Sequence, residues 1–342
     1  MNIKETLWEA ILLLMDTLVK SRFNGKDIYG GFANPSLLLV RNTEIRRYII
    51  QIDKYLFNSS LSPNIDMVTT KSLTVEAFAN CPDLNTSHQE VNTWLIQEIK
   101  KRQNKDGGWG YEFDVHMRWG SYRSQCSNVI ATFHAFEALK RVGEIQDPDR
   151  ILELLSSWKA GNPFFAYSSG EFPCIHNANL LASYMWLTLG GDLNDALDAC
   201  FYSTQRIRGG NLFWEYGYDR KLNWSDTFHT GYNLFALKQI EQILGSEIFK
   251  TSELINLWNT HYLKNGYPTM RLGGIRLADI HTLAETIWSS IHLNVDKAIV
   301  FCMSKSLINL LKTKKNLNMR WEVAYSLRAL SLVYTSFFYR VE

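Results

Sequence analysis

Trp224-Ser225-Asp226-Thr227-Phe228-His229-Thr230-Gly231-Tyr232 sets an acid, an imidazole, a phenol and two further aromatics just ahead of an apolar segment, Asn233 to Leu237. A capping side chain followed by an apolar periodic run marks the start of a helix. The chain repeats the arrangement. Cys126-Ser127-Asn128, Ile175-His176-Asn177, Asp279-Ile280-His281 and Met319-Arg320-Trp321-Glu322 each open a run that reads as a buried helix. Asn128, His176, His229 and His281 follow one another at 48, 53 and 52 residues; Arg320 comes 39 later, and Thr70 supplies an earlier copy 58 before Asn128. A recurring interval of that size signals stacked supersecondary units.

Outward from these anchors, helices are predicted over 69–80, 128–139, 177–189, the segment after Asp226, the segment after Asp279, and 319–337. Between them fall 88–103, 148–159, 192–206, 246–262 and 295–312, with 3–20 and 43–57 ahead of the series. Each pair has a long loop on one side and a tight turn on the other. No segment shows a sustained β alternation. The prediction is all-α: six helix pairs forming an (α/α)6 toroid, one domain over 1–342, with a polar and aromatic pocket at the inner-helix ends. An open solenoid is the competing architecture. Closure is preferred because the anchored helices are apolar along their length and polar only at their N-terminal ends.

Composition narrows the function classes. A net charge of +2 gives no strong basic field, so nucleic acid is not an expected partner. Eleven Trp, sixteen Tyr and eighteen Phe suit a cavity that stacks on sugar rings or encloses a hydrocarbon. Five widely spaced cysteines without a Cys-x-x-Cys predict reduced thiols and a cytoplasmic location. The apolar run Ala10 to Met15 is too short to span a bilayer, and charges around it do not fit a signal peptide.

Gln103-Asn104-Lys105-Asp106-Gly107-Gly108-Trp109 resembles the repeat of squalene cyclases and prenyltransferase β subunits, both α/α toroids. His176-Asn177-Ala178-Asn179-Leu180 and Asp226 to Tyr232 resemble a bacterial branch of that superfamily, associated with cell-surface polysaccharide loci. The resemblance spans roughly residues 20–335 and implies the toroid. The Asp-x-Asp-Asp motif of terpene cyclases is absent. Asp279 and His281 match only part of the zinc set of prenyltransferases, since Ile280 lies between them and no Cys follows. Polysaccharide lyases built on an (α/α)6 toroid use Asn, His, Tyr and Arg in one cleft, and those residue types stand at the inner-helix ends here.

His229 is the candidate general base, because imidazole titrates near neutrality. Asp226, three residues earlier, is expected to orient it; the plainer alternative is a helix cap beside a core histidine. His176 is a second candidate base, with Asn177 and Asn179 able to bond sugar hydroxyls or a carboxylate, or else to start a helix. Tyr232 is expected as the acid or second proton carrier. Arg320, with Asn128 and Asn177, is expected to neutralise a carboxylate. Asp279, His281, Trp321, Glu322, Trp109, Asp114 and Trp224 complete the substrate-contact set, with packing as the alternative for each aromatic. Tyr111, Trp214 and Tyr216 are further lining candidates, and His116 and Trp119 stand in the loop expected to roof the pocket. No His-x-x-x-His pair is present, and neither metal nor cofactor is implied.

The expected activity is that of a carbohydrate-active enzyme abstracting the proton α to the carboxylate of an acidic sugar, leading to elimination or epimerisation. The partner is a small-molecule or oligosaccharide substrate. The alternatives are a terpenoid cyclase or prenyl-binding toroid, and a non-catalytic toroid that binds glycan or protein. Oligomeric state is not encoded in these motifs.

Overall fold

A computed structural model describes residues 3–20, 67–117, 120–170, 172–208, 213–263, 268, 279–313 and 320–338. The expected helix over 43–57 and Trp119 lie outside them, as do the side chains of Arg320 and Trp321.

Six helices form an inner ring: α2 (Val68–Asn80), α5 (Val129–Arg141), α7 (His176–Thr188), α9 (Thr227–Leu244), α11 (Ile280–His292) and α13 (Arg320–Phe338). Each packs on the next, and α13 packs back on α2. That last contact decides between toroid and open solenoid. Outside the ring run α1 (Ile3–Lys20), α4 (Gln89–Lys101), α6 (Pro148–Lys159), α8 (Leu193–Thr204), α10 (Thr251–Tyr262) and α12 (Lys297–Thr313); the short α3 (Pro82–Ser87) links α2 to α4. α4 packs on α2, α8 on α7, α10 on α9, α12 on α11 and α1 on α13.

The two rings differ in sequence for a physical reason. Outer helices bury one stripe; in α6 it is Ile151, Leu154, Leu155 and Trp158. Inner helices are enclosed on all sides, and α2 buries even Lys71 and Glu76. Side-chain caps start three of the inner helices, α5, α9 and α11, whereas α2 and α7 begin without one. Asn128 Oδ1 accepts from the Ala131 amide at 3.0 Å, Asp226 Oδ1 from the His229 amide at 2.8 Å, and Asp279 Oδ1 from the Thr282 amide at 2.8 Å. Gly245, at φ 66°, ends α9 in the left-handed conformation.

The Gln103–Trp109 motif is a structural clasp. Asp106 Oδ1 accepts from the Gly108 amide at 3.0 Å and from Ser127 Oγ at 2.7 Å. A Cβ on Gly108 would meet Leu154 Cδ2 at 2.4 Å and Ser127 Cβ at 2.8 Å, so a larger residue would have to displace both side chains. Trp109 is thereby driven into the core, where its Nε1 donates to the Ile99 carbonyl at 2.8 Å.

Among the described residues two short hairpins break the helical pattern: β1 (Val115–Met117) with β2 (Gly120–Tyr122), and β3 (Ile207–Arg208) with β4 (Phe213–Trp214). Two or three residues per strand are too few for an alternation to register in sequence. No two cysteines are joined in a disulfide. Among the described residues no helix is long and apolar enough to cross a membrane.

Candidate functional site

The inner helices run in register. Their ninth residues are Glu76, Glu137, Tyr184, Phe235, Trp288 and Arg328, and these close a layer across the axis. Arg328 Nη1 lies 3.4 Å from both Glu76 oxygens, and Nη2 makes a short ion pair with Glu285 Oε1. The Arg328 guanidinium covers the Trp288 ring at 4.4 Å; Trp288 meets Phe235 at 4.5 Å, and Phe235 meets Tyr184 at 5.8 Å. Tyr184 donates to Glu137 Oε1 at 2.6 Å, and Arg141 Nε stands 3.8 Å from Glu137 and 3.9 Å from Glu76. Eight helical steps put this layer about 12 Å below the helix starts.

Glu76, Glu285 and Arg328 are fully buried. Burial alone would raise the Glu76 carboxyl, but Arg328, the His134 hydrogen bond and Arg141 outweigh it and hold the pKa down to about 2. Arg328 is held far above its ordinary range: burial opposes its charge, and Glu285 and Glu76 more than restore it.

Above this layer lie the sixth residues His134, Tyr232, Glu285 and Tyr325. Tyr325 Oη lies 3.3 Å from His134 Nε2. Burial drives the Tyr232 hydroxyl well above its usual pKa, and the Glu285 charge adds to this.

The uppermost layer holds the dyad. Asp226 Oδ2 meets His229 Nδ1 at 2.6 Å while Oδ1 caps the helix, so one carboxylate does both jobs considered from the sequence. Trp224 Nε1 also donates to Oδ2, at 3.3 Å. The His229 side chain is 18% exposed against 6% for Asp226, and its Nε2 makes no hydrogen bond among the described residues. Trp224 stacks on Tyr216 at 4.7 Å and 14° between planes, and Tyr216 faces His229 at 4.5 Å. Phe228 bridges His229 at 3.9 Å and His281 at 4.9 Å; His281 in turn contacts Tyr325 at 4.6 Å. His281 is only half-buried in surface terms although it lies deep between helices. Burial, then the charges of His229 and Arg328, push its pKa well below the ordinary value.

His229, Asp226, Tyr232, Trp224 and His281 are thus brought together. Others are directed elsewhere. His176 is fully buried, with Nδ1 3.0 Å from Ser203 Oγ on α8, and burial followed by the Arg206 charge lowers its pKa to about 4. Asn179 donates to the Ala199 carbonyl at 2.7 Å and to Ser203 Oγ, and accepts from the Phe165 amide at 2.8 Å. Both therefore tie the inner helix to the outer ring rather than facing the axis. Trp109 fills the core, and Asp114 is an exposed loop residue accepting from the Ser124 amide. Asn128 and Asp279 cap helices, the latter also accepting from Thr282 Oγ1 at 2.7 Å. Asn177 is buried with Oδ1 unpartnered among the described residues, and Glu322 is buried on the first turn of α13. Of the further lining candidates, Trp214 is buried in the core, Tyr111 stacks on Phe113 at 5.4 Å, and His116 is exposed on β1.

No family model matches the chain, and no curated protein matches its sequence. Solved structures do match over nearly the full length. The unsaturated glucuronyl hydrolase responsible for glycosaminoglycan degradation from Bacillus sp. GL1 has a TM-score of 0.59 at 10% identity, covering 96% of each chain. A novel alpha-amylase from Clostridium perfringens has a TM-score of 0.59 at 11% identity, covering 95% of this chain and 97% of that one. A cold-adapted family 8 xylanase has a TM-score of 0.51 at 11% identity, covering 92% and 98%. The chain is an (α/α)6 toroid. At such identity the likeness establishes the fold and leaves the chemistry to the site itself.

The residues missed from sequence are Glu76, His134, Tyr325 and Arg328, together with the partnership of Glu285. A signal was present. Val75-Glu76-Ala77, Ala284-Glu285-Thr286 and Leu327-Arg328-Ala329 each set one charge inside an apolar run, and such charges are rarely buried unless paired.

Proposed function

We propose that this toroid is a carbohydrate-active enzyme that removes the proton α to the carboxylate of an acidic sugar. The observation that carries the proposal is the Asp226–His229 pair, 2.6 Å apart, with the second imidazole nitrogen unbonded among the described residues, beside the Tyr216–Trp224 stack. The carboxylate fixes the tautomer that leaves Nε2 as the proton acceptor. The stacked aromatics offer a flat apolar face of the kind that packs against a sugar ring. Carbohydrate-active enzymes sharing this fold over almost the whole chain agree with the reading.

His229, rather than His176, is assigned as base. As Nε2 takes the proton, the C–H electron pair delocalises into the carboxylate. In elimination it then forms the C=C bond as the β C–O bond breaks, and His229 returns its proton to the departing oxygen. In epimerisation a proton returns to the opposite face of the carbon. Asn177 and Arg320 are the groups assigned to the substrate carboxylate. Tyr232 is not assigned as acid, because burial and the neighbouring Glu285 charge make its hydroxyl hold its proton too firmly. A glycosidase-type pair of carboxyls, Asp226 or Asp279 with Glu322, fits less well, since both aspartates spend oxygens on first-turn amides.

The narrower terpenoid-cyclase relationship is a second reading. The axial rings Phe133, Phe235 and Trp288 favour it, whereas the charged layer of Glu76, Glu285 and Arg328 suits a polar ligand. The test is incubation with polyuronates, glycosaminoglycans and uronic acids in deuterated water, following conjugated-alkene absorbance and loss of the α-proton signal by NMR. Turnover abolished by His229→Ala is expected. Undiminished turnover in that variant would refute the assignment of the base, and an absence of both signals with every acidic sugar would refute the reaction class.

A further inference from the structure

Tyr232 lies three residues after His229, and Glu285 four residues after His281. These spacings put each on the same helix face as its histidine, one turn deeper. Both are buried, Glu285 completely. Yet among the described residues neither Tyr232 Oη nor Glu285 Oε2 has a hydrogen-bond partner within 3.5 Å, although the Tyr232 hydroxyl lies near enough to Glu285 and Tyr325 to interact with both. The other Glu285 oxygen is committed to Arg328. Directly below, in the ninth-residue layer, Arg328 covers Trp288 and Trp288 packs on Phe235. Buried polar atoms left unpaired in a native protein call for a water or ligand.

We propose that Glu285 Oε2 and Tyr232 Oη form the floor of the site and bind a hydroxyl group of a sugar inserted end-on, holding an ordered water in its absence. This deepens the reading of the site given above and rests on it for the sugar. An ion-paired carboxylate accepts and cannot donate. Its partner must therefore carry a donor, and a substrate carboxylate is excluded from this depth by like charge. The Tyr232 hydroxyl, which retains its proton, donates to the same guest oxygen. The floor thus sets orientation: a neutral hydroxyl end goes down, and the acidic group stays at the mouth, level with His229.

A high-resolution crystal structure of the ligand-free protein is expected to show a water within about 3.2 Å of both atoms. Tyr232 Oη bonded directly to Glu285, with no guest between them, would overturn the proposal. Crystals soaked in glucose or glucuronate should show a sugar hydroxyl replacing that water, with the glucuronate carboxylate at the mouth; a carboxylate on the floor would also overturn it. If neither sugar enters while the water is present, the hydroxyl-binding floor stands and the carbohydrate reading fails. By calorimetry, Tyr232→Phe, which keeps the ring, should weaken glucose binding roughly tenfold, and Glu285→Gln roughly 10- to 100-fold. Unchanged affinity in both folded variants would refute the contact.

Discussion

Replacing Arg328 with Met removes the guanidinium that pairs with two fully buried carboxylates, Glu76 and Glu285. The cost follows from Glu76. Its pKa of about 2, against 4.5 unperturbed, is a shift of about 2.5 units. At about 1.36 kcal/mol per unit this is on the order of 3 kcal/mol of stability at neutral pH. Because the folded-state value is depressed, that contribution is present above pH 4.5 and lost as pH falls towards 2. Without Arg328 the burial penalty on Glu76 persists while its largest compensation disappears, and Glu285 loses its ion pair. A loss of about 3–5 kcal/mol is expected, as for other buried pairs broken on one side. Urea unfolding at pH 8 and pH 5 tests this. Arg328→Met should be penalised less at pH 5, where the stranded carboxyls take up protons. The triple variant Glu76→Gln, Glu285→Gln, Arg328→Met should recover much of the loss. A cost below about 1 kcal/mol, or one equal at both pH values, would refute the account.

Other outcomes follow from the same geometry. Asp226→Asn should leave helix α9 capped but misorient His229, lowering turnover of an acidic sugar by about 10²–10⁴-fold with little change in KM. His176 and His292 have folded pKa values of about 4 and about 3, both depressed chiefly by burial. They favour the folded state above pH 6.5 and withdraw that support as pH falls. The His176 shift of about 2.5 units corresponds to about 3 kcal/mol, and His176→Gln should flatten the slope of stability against pH between about 6.5 and 4. Trp109→Ala should cost about 3–5 kcal/mol in chemical denaturation through the cavity left against α4. Gly108→Ala should also destabilise, because its new methyl collides with Leu154.

Much of the fold was legible in the sequence because it rests on local signals. Asp226, Asn128 and Asp279 cap the helices their positions announced. The intervals between anchors gave the inner ring, and Asp226–His229 is legible because three residues on a helical turn bring side chains together whatever surrounds them. His176 shows the limit. Its setting resembles that of His229, but it turns to Ser203 on the outer ring. The apolar pattern cannot separate the two cases: inner helices are buried on every face, so no polar side marks where the axis lies.

The sequence by itself determined helix positions, caps, the repeat and the dyad, since each is set by contacts within a few residues. Only the tertiary structure decided which side chains share the axis. Glu76 and Arg328 are 252 residues apart and meet because α13 closes on α2. Pairing across that distance depends on the common register of the inner helices, which brings their ninth residues to one level. That register is a property of the closed ring and of no single helix.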